Sequence, residues 1–235
     1  MVCTYHDYTD LGDVMIAKLW LFMLIFCADS WAHGVEGDQL ASRVLSEADR
    51  LLEMANISYV YGGHKISDER QCEACNECLA EQKPGPKQRV RACPACKNCS
   101  LDCSHFVNLV YRRAGISMGY LTTHVMIDSS PRDLFRLYGL LDFAQDVDAI
   151  KPADLLVYRG HVVMVERVVS PGMVDIVHAT GGRDLRGPGM GIQRERRVLA
   201  QRFRGPLLRI LRPKSLAGTF NRPRPSVKTS KKSPL

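Results

Sequence analysis

The sequence predicts an α+β chain in which helices pack on an antiparallel sheet. From Cys103 the apolar residues Phe106, Val107, Val110 and Ala114 recur at the three-and-four spacing of one helix face, and Gly115 closes the run. Residues 153–158 and 161–169 are β-rich runs joined by the tight turn Arg159-Gly160, and residues 174–180 make a third run. Leu40, Val44, Leu45, Ala48, Leu51, Leu52 and Ala55 mark an amphipathic helix over residues 38–55 that should pack beside the sheet.

The chain begins with features of an export segment, assigned to residues 1–32. Met15 to Lys18 is a short positive start, Leu19 to Ala28 is apolar, and Ser30-Trp31-Ala32 is a small-x-small cleavage site. Asp7, Asp10 and Asp13 suit such a leader badly, which makes Met15 the expected translation start. The apolar run is short for a bilayer span, so an uncleaved anchor is the alternative. Phe26 before Cys27 argues against a lipoprotein site. Either form places the rest of the chain outside the cytoplasm, secreted or periplasmic, where disulfides persist.

Residues 64–101 read as a cysteine-rich insert. Cys72, Cys75 and Cys78 form one C-x-x-C-x-x-C run and Cys93, Cys96 and Cys99 another, on either side of Lys83-Pro84-Gly85-Pro86-Lys87. So short a segment buries little apolar surface, so its stability must come from sulfur. The compartment favours disulfides among the six, with no pairing selected; thiolates from two C-x-x-C pairs could instead close a zinc site. Cys93, Cys96, Cys99 and Cys103 also have the spacing of an iron-sulfur ligand run, although Ser104 stands where that run has proline. If the six pair among themselves, Cys103 is left as the free thiol.

Ser130 and Pro131 open a helix expected to run to Leu141, and His124 falls in the loop before it, read as solvated. Gly181 to Gly191 is a glycine-rich loop without the setting of a phosphate site, read as a cleft rim or hairpin connection. Residues 192–198 and 203–211 read as closing strands. From Pro213 the chain turns polar and is read as a disordered basic tail, 213–235. Counting from Arg212 it carries seven basic and no acidic residues, equal to the whole formal net charge of +7. Anionic cell-wall polymers or a membrane surface are its natural partners. The folded part shows no basic-aromatic platform, which argues against nucleic acid.

Chemistry concentrates near Cys103. Ser100 or Asp102 can cap the helix, which puts Cys103 in its first turn, where unpaired N–H groups and the dipole favour a thiolate; the thiol should be more acidic than usual. His161 and His178 lie on successive strands downstream. A helix-start cysteine followed by two such histidines is the layout of a Cys-His-polar triad, one imidazole taking the thiol proton and the other orienting the first. His105, two residues from Cys103, is about 200° around the helix and should point away from the sulfur.

At these residues the chain resembles the NlpC-type cell-wall endopeptidases, papain-like peptidoglycan hydrolases. Tyr59-Val60-Tyr61-Gly62-Gly63, Asp102 to Val107, Pro152-Ala153-Asp154-Leu155, His161-Val162-Val163-Met164 and His178-Ala179 match the family's motifs in order. The resemblance implies a papain-like domain over residues 33–212, with Cys103 as nucleophile, His161 as base and His178 as the orienting member. It implies that Tyr59, Asp102 and Ser104 line the substrate cleft, with Tyr59 and Asp102 holding the amino end of a stem peptide. Peptidoglycan is the implied partner, a monomer the expected state, and no cofactor is required. Tyr61 in place of tryptophan, His105 in place of a small residue, and the insert depart from the pattern. The rivals are a metal or iron-sulfur protein built on Cys72, Cys75, Cys78, Cys93, Cys96 and Cys99, and a non-catalytic wall-binding module. A thiol acyltransferase is a further rival, disfavoured because the lipid-acting relatives place the histidine before the cysteine.

Overall fold

A computed structural model describes residues 37–53, 57–66, 69–81, 93–181 and 191–217. The export segment, the Pro-Gly hinge, the glycine-rich loop between Gly181 and Gly191, and the tail from residue 218 lie outside the described residues.

Residues 37–53 form helix α1, whose Val44, Ala48 and Leu51 are buried. Arg194 fastens this helix to the sheet, donating to Asp49 Oδ1 on one side and through Nε to Glu166 Oε2 at 2.7 Å on the other. Strands β1 (Ser58–Tyr59) and β2 (His64–Ile66) flank a turn at Tyr61-Gly62. Helix α2 (Glu69–Glu81) and a 3-10 turn (Pro94–Lys97) follow, and then β3 (Cys99–Leu101) returns between the first two strands, parallel to β1 and antiparallel to β2. Gly63 is where they close up: a Cβ there would lie 2.6 Å from Ser100 Oγ and 2.8 Å from its carbonyl carbon, so only glycine fits. The stretch read as an insert thus contributes two strands of a three-stranded sheet, and β3 leads straight into the cysteine helix.

The six insert cysteines lie in three bonded pairs, Cys72–Cys99, Cys75–Cys96 and Cys78–Cys93, with Cα separations of 4.8, 4.6 and 5.8 Å. The pairing is nested. Three-residue steps keep Cys72, Cys75 and Cys78 along one side of α2, and equal steps run backward through Cys99, Cys96 and Cys93, so each rung falls one turn from the last. Three disulfides are compatible with an oxidising, extracytoplasmic setting. Among the described residues no helix is long and apolar enough to cross a membrane.

Helix α3 (Cys103–Arg113) buries Phe106, Val107, Val110 and Tyr111 and stops at Ala114 and Gly115, the glycine at φ +87°. Helix α4 (Thr123–Asp128) starts at the Thr122 cap and contains His124, which is exposed and paired with Asp128 one turn on, so it is not the loop residue expected. Helix α5 (Pro131–Tyr138) has the predicted Ser130 cap but ends three residues early. Gly139, at φ +67°, turns the chain out of the helix and into strand β4 (Leu140–Asp142).

Strands β5 (Leu155–Tyr158), β6 (His161–Ser170), β7 (Met173–Thr180), β8 (Gly191–Leu199) and β9 (Arg209–Pro213) complete a six-stranded sheet in the order β4-β9-β5-β6-β7-β8. Every neighbour is antiparallel. The strand expected over 203–211 forms only from Arg209, because Gly205 at φ +102° and Pro206, which lacks an N–H, break the ladder. The same strand runs on to Pro213 and a 3-10 turn follows (Lys214–Leu216), so the fold outlasts the boundary expected at 212. Arg212 is no tail charge: its Nε and Nη2 clamp the buried Asp154 at 2.6 and 2.7 Å.

Strand alternation sorts the sheet into two buried faces. Leu155, Val157, Val162, Met164, Val177 and Ala179 join the core with α3. Leu156, Val163, Val165, Val174 and Ile176 join Ala200, Leu207 and Ile210 on the other side, with Phe203 packed against them.

Candidate active site

Asp102 positions the thiol. Its backbone N–H donates to Gly63 O at 3.0 Å, and its Oδ1 accepts the His105 N–H at 2.8 Å as the cap of α3. Cys103 therefore stands in the first helical turn, 5% exposed, and is the free cysteine among the described residues. The expected acidity is reversed. Burial pushes the thiol up to about 11; the backbone N–H groups of Val162, Ser104 and Cys103, directed at the sulfur, oppose this, and the Asp102 charge adds to it. Desolvation outweighs the helix start.

The two histidines meet each other. His161 opens β6, His178 lies near the end of β7, and His161 Nε2 is 2.7 Å from His178 Nδ1. Both rings contact Phe203, and both alternate with Val163, Val165, Val174 and Ile176, so they occupy the sheet face opposite the body of α3. A base on the face packed against the helix is therefore not what the fold supplies. The thiol comes to the strand end instead: the N–H directed at its sulfur belongs to Val162, the residue after His161. Val162 pairs with Val157 on the β5 side, and the register of β6 with β7 begins only at Met164.

A carboxylate extends the chain of rings. Glu195 Oε1 lies 3.2 Å from His178 Nε2. A carboxylate only accepts, so the network assigns the proton of His178 to Nε2, makes its Nδ1 the acceptor for His161 Nε2–H, and leaves the lone pair of His161 on Nδ1. Burial, and then the charges of His178 and Arg204, hold His161 down at about 2; burial and Arg204 hold His178 at about 3. Both imidazoles and the thiol therefore rest neutral.

The resemblance-derived cleft residues gather at the helix start. Ser104 Oγ donates to Asp102 Oδ1 at 2.8 Å and lies 3.0 Å from Tyr120 Oη. The half-buried Tyr59 hydroxyl is raised well above its ordinary range by burial, then by the charges of Cys103 and Asp102. Burial works against ionisation of Asp102, but the side-chain and backbone bonds from His105 outweigh it and keep its carboxyl below the ordinary value. The His105 ring turns over the cap, 2.9 Å from Asp102 Oδ1, and stacks on Tyr120 at 4.1 Å. Gly62 N–H donates to Asp102 Oδ2 at 3.2 Å, so both oxygens of Asp102 are engaged by the chain itself.

The chain matches no family model, no curated protein and no solved structure. Local sequence left no signal for Glu195, Phe203, Arg204 or Tyr120; strand pairing and a loop return bring them in. Glu195 faces Ile176 across β7 and β8, one diagonal from His178, and only the register reveals it. Among the described residues no cluster of three metal-ligating side chains occurs, and the six insert cysteines lie in pairs at bonding distance, with Cys103 of the iron-sulfur spacing free.

Proposed function

We propose that the chain is a secreted or periplasmic thiol peptidase of the papain-like NlpC type that hydrolyses an amide bond in peptidoglycan stem peptides. The observation that carries this is the backbone N–H of Val162, the residue after His161, acting on the Cys103 sulfur, together with a His161 whose Nε2 is engaged by His178. The five motifs in family order support the substrate class.

In this reading His161 Nδ1 takes the thiol proton as Sγ attacks the carbonyl carbon, and the imidazolium gives that proton to the departing amine. Water then attacks the thioester, His161 takes its proton, and the thiol is restored. Because thiol and imidazole rest neutral, the proton moves during attack and no standing ion pair is needed. The Cys103 N–H at the helix start is the proposed oxyanion donor. His178 and Glu195 hold the tautomer, and Tyr59, Ser104 and Tyr120 line the cleft. The basic tail is proposed to hold the enzyme near anionic wall polymers or a membrane surface.

The test is incubation of wild type and Cys103→Ala with peptidoglycan, followed by mass spectrometry of the soluble products. Stem-peptide fragments released by wild type alone support the peptidase; none from either protein overturns it.

A further inference from the structure

The nested disulfides hold the strand that delivers the thiol. Among the described side chains of α2 the buried ones are Cys72 and Cys75, and Cys93, Cys96 and Cys99 are buried across from them. The described seam between α2 and the returning chain is therefore built of sulfur. A helix of 13 residues is marginal alone in water, so α2 depends on these bonds. The rungs are unequal. Cys78, partly exposed, ends the series on the outside, whereas the innermost bond joins Cys72 to Cys99, the first residue of β3 and four residues before Cys103.

Strand β3 in turn places the nucleophile. Ser100 Oγ donates to Cys96 O at 2.6 Å, and Ser100 lies against Gly63. Asp102 N–H donates to Gly63 O, and the same residue caps the helix that Cys103 opens. The other side of the large sheet is independent of this seam: its core of Leu156, Val163, Val165, Val174 and Ile176 includes no insert residue among the described residues.

We propose that the three disulfides are a redox switch on the peptidase site. With the bonds formed, β3 presents Cys103 at the end of β6; with them reduced, β3 loosens and the thiol loses its place while the six-stranded sheet stays folded. The proposal rests on the peptidase reading and adds its regulation. Each bond forms as two thiols pass two electrons and two protons to the disulfide of an oxidoreductase or of oxidised glutathione, which leaves as two thiols; a dithiol reductant reverses the exchange. Cys103 stays a thiol throughout. The chain is thus inactive in a reducing compartment and active in an oxidising one. Reductant, which protects a catalytic thiol from oxidation, here switches the enzyme off.

The experiment compares wild type before dithiothreitol, after it and after reoxidation, with Cys72→Ser/Cys99→Ser alongside; mass mapping of alkylated peptides records which bonds are open. Release of stem-peptide fragments should fall about 100-fold on reduction, the cost of a misplacement of ~1 Å, return on reoxidation, and stay low in the double variant. Independently of turnover, iodoacetamide labelling of Cys103 at pH 7 should speed up roughly tenfold or more when the bonds open. A cooperative thermal transition should survive reduction. Labelling of Cys103 unchanged by reduction, cleavage at full rate by the reduced protein or the double variant, or loss of the thermal transition overturns the proposal. Faster labelling with no cleavage by the oxidised protein keeps the switch on the thiol and removes the peptidase.

Discussion

His161 Nε2 and His178 Nδ1 stand 2.7 Å apart with their rings edge to face at 75°, and the far nitrogen of His178 reaches Glu195. This relation commits one nitrogen of His161 to the interior and frees the other for chemistry. Both histidines are buried, and only Glu195 at the end of the series is substantially exposed.

Removal of His161 should therefore cost most. His161→Ala is expected to lower kcat/KM by about 10²–10⁴-fold, the range for a lost general base. His178→Ala should cost less, and Glu195→Gln, whose side chain is 40% exposed, about tenfold or less. Steady-state assays on stem-peptide fragments check the order; a His178→Ala enzyme as fast as wild type would remove the relay.

Acid should destabilise the fold earlier than its carboxylates alone would. Below the ordinary histidine value of 6.5 the unfolded chain protonates His161 and His178, whereas the fold, with values of about 2 and about 3, does not. The unfolded state then binds more protons, so stability is full above pH 6.5 and declines as the pH falls from there. Asp102, lowered from 3.8, acts in the same direction only further down. Thermal midpoints between pH 4 and 7 should slope for wild type and flatten for the His161→Gln/His178→Gln pair.

The native thiol should be slow. With burial holding Cys103 at about 11, iodoacetamide labelling at pH 7 should be weak and rise roughly tenfold per pH unit. Denatured but unreduced protein should label Cys103 and none of the six insert cysteines; after reduction all six should react. Peptide mapping reads both results. Fast native labelling at pH 6 would reveal a thiolate-imidazolium pair, and labelled insert cysteines without reductant would break the nested pairing.

Asp154 should matter for stability and not for chemistry. Its carboxylate accepts two bonds from Arg212 and the Lys151 N–H at 2.8 Å, and is fully buried. Asp154→Ala strands a buried guanidinium and is expected to cost roughly 3–5 kcal/mol in denaturant unfolding. Removing both partners, Asp154→Leu with Arg212→Met, should cost less than the single change. The Pro152-Ala153-Asp154-Leu155 motif would then be explained by this clamp.

By itself the sequence determined the local elements. The three-and-four spacing after Cys103, the Arg159-Gly160 turn between apolar runs, and the Ser130-Pro131 start each encode a preference within a few residues, and each element formed. With Cys3 and Cys27 set aside in the export segment, seven cysteines remain, and pairing of the six in the insert leaves Cys103 as the free thiol, as the structure has it. Only the tertiary structure decided which sheet face carried the histidines, which thiols paired, and how acidic Cys103 became. Face, pairing and acidity depend on long-range register and on water excluded by neighbours distant in the chain. Glu195 and Arg204 show the same dependence: one arrives by a strand diagonal and the other by a loop return, and no local pattern encodes either.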